Sequence, residues 1–161
     1  MTLSVTILKK SWDELVNDYG KRVFVPTSER DIQCYLYHLC IENGFKVKEL
    51  HAEEVHGRRK KTRTDLVLGT RHDTKLYVEI KWAKLKERPL ISSKGLGRIW
   101  KDINKSKTKK SKRRRYLLIL IYRESGKEPL LSSDLSKSEK SKLRQLKEEL
   151  KAEGVKVIFS V

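Results

Sequence analysis

Two carboxylates and a lysine stand close together in the stretch 64–82, TDLVLGTRHDTKLYVEIKW: Asp65 opens one apolar run and Glu79-Ile80-Lys81 closes the next. Charges inside apolar strand patterns are costly to bury unless they are paired or hold a metal ion, so three of them in one hairpin call for a reason. Oxygen ligands suit a hard divalent cation, and a lysine beside them suits an electrostatic helper or a base for a bound water. Alternation along 75–82 puts Leu76, Val78 and Ile80 on one face and Tyr77, Glu79 and Lys81 on the other. A turn centred on Arg71-His72-Asp73, just after Gly69, then sets Asp65 opposite Glu79, Leu66 opposite Val78 and Val67 opposite Tyr77. This register gathers Asp65, Glu79 and Lys81 on one face. The plainer reading of Glu79 and Lys81, a solvent-facing cross-strand ion pair, leaves the arrival of Asp65 on that face unexplained.

The elements that must position these residues follow from periodicity. Leu8, Trp12, Leu15, Val16 and Tyr19 recur at helical spacing over 4–20 and predict an amphipathic helix ending at Gly20. Residues 21–26 read as a connector or short strand. A second helix is expected over 28–43, with Thr27 or Ser28 as cap, acids in its first turn, and Gly44 just past its end. Its apolar face is Ile32, Leu36, Leu39 and Cys40, and Glu29 falls on the edge of that stripe, one turn before Ile32. Glu29 is then either an acid favoured by the helix dipole or a carboxylate aimed at the sheet. A strand over 45–55 should follow, with Phe45, Val47 and Leu50 turned inward. Beyond the hairpin, a polar loop with Pro89 leads to a helix over 93–105, and the apolar run 116–122, YLLILIY, reads as a strand covered on both faces. A helix over 137–153 with Leu143, Leu146 and Leu150 inward, and a last strand, VKVIFSV, complete the chain. The expected class is α/β, a mixed central sheet of about five strands flanked by helices. The whole chain, 1–161, reads as one domain, with 1–26 a helical extension packed on the core.

Charge indicates the partner. Thirty-eight Lys and Arg against 21 Asp and Glu leave a formal charge of +17, which favours a polyanion and nucleic acid first among polyanions. Arg58, Arg59, Lys60, Lys61 and Arg63 crowd the approach to Asp65. Lys94, Arg98, Lys101 and Lys105 form a stripe along the expected 93–105 helix, and the run 105–115 has eight basic residues in eleven. Each could be a solvated face; beside clustered acids, each is also a means of holding a phosphate backbone. No apolar run approaches the roughly 20 residues of a membrane span and the first residues lack a signal-peptide core, so an intracellular, cytoplasmic protein with no membrane partner is expected. Cys34 and Cys40, six apart on one helix, fit packing in a reducing compartment better than a disulfide or zinc site. His38, His51, His56 and His72 are scattered, which disfavours histidine-based nuclease chemistry, and the absence of GxxxxGK[ST] argues against ATP-driven activity.

Two other acid-x-Lys triplets occur, Asp73-Thr74-Lys75 in the expected turn and Glu149-Leu150-Lys151 on an exposed helix; only Glu79-Ile80-Lys81 lies in an apolar strand opposite another acid. An acid on the first core helix (Glu29), Asp65 at the start of the second core strand, Glu79 and Lys81 on the third, then a basic helix and a buried strand together resemble the PD-(D/E)xK nuclease superfamily. That superfamily includes many restriction enzymes and the archaeal Holliday junction resolvases. The resemblance spans about 27–122; Thr64 stands where the motif's proline would be. It implies a restriction-endonuclease-like αβββαβ core and a DNA endonuclease dependent on Mg2+, with Mn2+ able to substitute. It also implies Asp65 and Glu79 as metal ligands with the Ile80 carbonyl as a third, Lys81 orienting or deprotonating the attacking water, and Glu29 holding a second metal or a metal-bound water. A homodimeric junction resolvase is the specific role it favours, beside a restriction-type or viral degradative nuclease. A non-catalytic basic binder on the same fold, or an enzyme acting on RNA, stays open at this point.

Overall fold

The computed structural model describes residues 3–56, 62–69, 76–85, 114–123, 135–152 and 154–160. The chain is α/β: among the described residues three helices, α1 (Leu3–Gly20), α2 (Glu29–Glu42) and α3 (Lys137–Ala152), accompany five strands. These are β1 (Leu50–His56), β2 (Thr62–Leu68), β3 (Leu76–Leu85), β4 (Arg114–Arg123) and β5 (Val155–Phe159), in the spatial order β1-β2-β3-β4-β5. The first two pairings are antiparallel and the last two parallel, giving a mixed open sheet.

Local sequence sets the helices. Leu8, Trp12, Leu15 and Tyr19 form one buried stripe on α1. Ser28 and Asp31 close a capping box at the start of α2, and the Thr27 hydroxyl also donates to the Asp31 carboxylate at 2.6 Å. Those donors hold the exposed Asp31 carboxyl below its ordinary range, the Thr27 hydroxyl first among them. Gly44 follows at φ +109°, a conformation that L side chains rarely adopt. The two helices run antiparallel. Asn43 at the end of α2 donates to Ser11 and Glu14, while Tyr35 donates to Asp18 near the end of α1. A second reciprocal cap, Ser136 with Glu139, starts α3.

The sheet carries a core on each face. Leu66, Leu68, Leu76, Val78 and Ile80 pack with Tyr116, Leu118 and Leu120 of β4 against α1 and α2. Leu117, Ile119 and Ile121 pack with Leu143 and Leu150 of α3 on the opposite face. The continuous apolar run of β4 is thus explained by burial on both sides, as its pattern predicts. The expected register of the hairpin is present at Leu66 opposite Val78 and Val67 opposite Tyr77, but the ladder stops there and does not pair Asp65 with Glu79 as expected.

Three boundaries differ from expectation. Instead of one strand over 45–55, the Phe45 N–H closes the end of α2 onto the Cys40 carbonyl and a 3-10 turn spans Val47–Glu49, so β1 begins only at Leu50. Phe45 and Leu50 are buried as expected, but Val47 rides on that turn and is 66% exposed. Arg63 stands in β2 rather than in a loop, because pairing with Val55 and His56 carries the strand back to Thr62. Arg114 and Arg115, expected in the basic loop, are drawn into β4 by pairing with Leu76 and Tyr77. The turn at 70–75, the basic residues Arg58, Arg59, Lys60 and Lys61, and the 93–105 helix with Lys94, Arg98, Lys101 and Lys105 lie outside the described residues. No described helix is long and apolar enough to cross a membrane.

Candidate active site

A fork between β2 and β3 forms the site. β2 keeps its pairing with β1 back to Thr62, passing over Asp65, but among the described residues it pairs with β3 only at Leu66, Val67 and Leu68. Extending that register by two and four residues would set Thr64 against Ile80 and Thr62 against Trp82. Instead, side-chain oxygens take the N–H groups that β3 turns toward the fork. Ile80 N–H donates to Asp65 Oδ2 at 2.7 Å, and Trp82 N–H donates to Glu29 Oε1 at 3.2 Å. Backbone donors of a strand need acceptors, and here the acceptors are two acids contributed by different elements.

The lysine joins the same place. Lys81 Nζ lies 3.8 Å from Glu29 Oε2, with its side chain 16% exposed against 51% for Glu29. Glu29 is therefore more than a dipole-favoured acid at a helix start, since its carboxylate bridges the Trp82 amide and the Lys81 ammonium. Alternation along β3 places Glu79 and Lys81 half-buried, opposite the buried Val78 and Ile80. Ile80 itself is in the core, so any contribution from it at the site comes through its backbone.

Burial foremost, and the negative charge of Glu29 in addition, hold the Asp65 carboxyl above the ordinary aspartate range. The Ile80 N–H, the Lys81 charge and a hydrogen bond with the Glu79 carboxyl act the other way. Two carboxyl groups can hydrogen-bond only if one carries a proton, and a cation between them removes that need. The donors at hand are hard oxygens, which suits Mg2+ or Mn2+ and disfavours soft metals. Among the described residues no group of three or more His, Cys, Asp or Glu side chains is arranged to hold a metal ion. Mg2+ tolerates such sparse ligation because it keeps much of its water shell.

One member of the site was not evident from the sequence. Gln33 of α2 is only 8% exposed, and its Nε2 donates to the Asp65 backbone carbonyl at 2.6 Å. The signal was a polar side chain flanked by Ile32 and Leu36 on the stripe that α2 turns to the sheet, one turn after Glu29. The Trp82 ring is tilted against that of Tyr122, with centroids 4.6 Å apart. Cys40 is buried, its thiol pushed up to about 11 by desolvation, whereas Cys34 is exposed; the exposed Glu149 and Lys151 lie on α3. Asp73 and Lys75 lie outside the described residues. No protein-family model matches the chain, and no curated protein is significantly similar to it.

Proposed function

We propose that this chain is a Mg2+-dependent DNA endonuclease with the restriction-endonuclease-like fold of the PD-(D/E)xK superfamily. The observation that carries the reading is the fork: Asp65 beside Glu79, with Lys81 and Glu29 joined at the same opening. The order of elements supports it, with a helix bearing an acid, three antiparallel strands and then a parallel strand buried on both faces. The excess of basic residues supplies the attraction for a phosphate backbone.

In this reading Asp65 and Glu79 would hold the cation, with the Ile80 carbonyl as a third donor. When bound, the metal would neutralise phosphoryl oxygens and make its water more acidic. The protein's own groups do the rest. Lys81 orients the attacking water and offsets the charge that builds on the phosphoryl group. Glu29 fixes the Lys81 ammonium through its carboxylate and, through the Trp82 amide, ties that position to the strand. Gathering three acids where phosphates must approach brings repulsion with no return for a protein that only binds DNA, which favours an enzyme over a passive binder.

Incubation with supercoiled, linear and four-way-junction DNA, in Mg2+ and in EDTA, tests the proposal. Cleavage should require the metal and disappear in Lys81→Ala, while salt-sensitive binding persists. Undiminished cleavage by Lys81→Ala would reject the site, and binding without cleavage in either Mg2+ or Mn2+ would reject the activity. Preferential cutting of the junction, by a dimer, would identify a resolvase.

A further inference from the structure

The fork poses a mechanical question. A strand that leaves its neighbour normally exposes backbone groups and tends to close again, because paired amides and carbonyls are more stable than orphaned ones. The Ile80 N–H and Trp82 N–H are held by carboxylates, which satisfies the β3 side. Asp65 itself is left out of the β1–β2 ladder, which pairs Ala52 with Leu66 and Glu54 with Thr64, and its carbonyl is taken by the Gln33 carboxamide at 2.6 Å. Gln33 comes from α2, the helix that also carries Glu29 four residues earlier, so one rigid face of α2 addresses both strands. A donor is needed at this point, and a carboxamide supplies one without adding charge to a site already holding three acids.

Resting on the reading above, we propose that Gln33 is a positioning residue that fixes the Asp65 peptide where it drops out of the β1–β2 ladder, so that the Asp65 carboxylate points at the Ile80 amide and stands beside Glu79. Without this donor the Asp65 carbonyl is left to seek another partner. The nearest route is a turn of the Asp65 peptide, which swings the carboxylate out of line with Glu79. Gln33 touches neither substrate nor metal in this scheme; it acts through the Asp65 backbone.

The test compares Gln33→Met, close in shape but with no donor, with Gln33→His, whose ring Nε2 can donate from a similar reach. Two readouts are taken on the full chain: Mg2+-dependent cleavage kinetics, and metal-free hydrogen exchange at the Ile80 amide by NMR. Gln33→Met should lower kcat by about ten- to hundredfold with KM for DNA unchanged, and should speed Ile80 exchange by at least about tenfold relative to amides of β4. Gln33→His should recover most of both. Wild-type kcat and wild-type Ile80 exchange in a folded Gln33→Met protein would overturn the proposal, as would a loss of kcat that Gln33→His does not relieve. Should Gln33→Met fail to fold, Gln33→Asn carries the same expectations, because its amide falls one methylene short of the carbonyl. A wild-type protein that cuts no DNA but whose Ile80 amide responds as stated would refute the nuclease reading and leave Gln33 as the residue that positions Asp65.

Discussion

Replacing Asp65 by Asn should make the metal-free protein more stable while abolishing its cleavage. The asparagine Oδ1 can still accept the Ile80 N–H that now lies 2.7 Å from the Asp65 carboxylate, and its Nδ2 can donate to Glu79. What disappears is a charge held in a largely dry place next to Glu29, at the loss of an attraction to Lys81. Burial is the largest influence on this carboxyl and acts against its ionised form, so the net change favours Asn. A gain of roughly 1 kcal/mol is expected, within the range usual for one stabilising substitution, or about 2–4 °C in Tm for a chain of this size. The pH dependence gives the sharper check. A carboxyl held above its ordinary value in the folded chain binds more protons folded than unfolded across that interval, so stability falls as pH rises through it. Below the ordinary aspartate range Asp65→Asn should therefore melt with the wild type, and its advantage should open as pH rises and reach full size once Asp65 is ionised. Thermal melts in EDTA across this range measure the gap, and added Mg2+ should raise Tm of the wild type alone. An Asp65→Asn protein that melts below the wild type at neutral pH, or whose advantage does not change with pH, would refute the assignment of Asp65 as a destabilised, poised carboxylate.

Two further outcomes test the frame and the surface. Leu118→Ala, at a site with no exposure in the middle of β4, should cost about 3–5 kcal/mol in denaturant unfolding, whereas Val47→Ala on the exposed turn should change stability by less than about 0.5 kcal/mol. DNA affinity should fall steeply with salt, and replacing Arg58, Arg59, Lys60 and Lys61 by Ser should reduce the log–log slope by about 0.9 for each side chain that neutralises a phosphate. An unchanged slope would show that this basic run does not meet the backbone.

Much of the fold was legible because the relevant physics is local. Strict alternation in β3 and the polar break after Gly69 sufficed for the register of Leu66 with Val78 and Val67 with Tyr77. The seven-residue apolar run of β4 announced burial on two faces, and Ser28, Asp31 and Gly44 marked the ends of α2. The chemical types at the site were equally legible, since Asp65, Glu79 and Lys81 break apolar patterns that would otherwise be uniform. Boundaries depending on strand partners were not: Arg63, Arg114 and Arg115 look like loop residues until a neighbouring strand claims their backbone.

What tertiary structure alone decided is how the charges are held. Sequence spacing left Glu29 either a dipole-favoured acid or a residue aimed at the sheet; packing α2 on β3 brings it to the Trp82 amide and Lys81. The sequence marked Gln33 only as a polar side chain on the apolar stripe of α2; its partner, a carbonyl 32 positions away, became visible only when α2 met β2. The opening between β2 and β3 is likewise absent from any pattern of alternation, which would continue the ladder to Ile80 and beyond. Hydrophobic periodicity specifies which face of an element is buried; where two paired strands part depends on which third element offers their backbone a better hydrogen-bond partner.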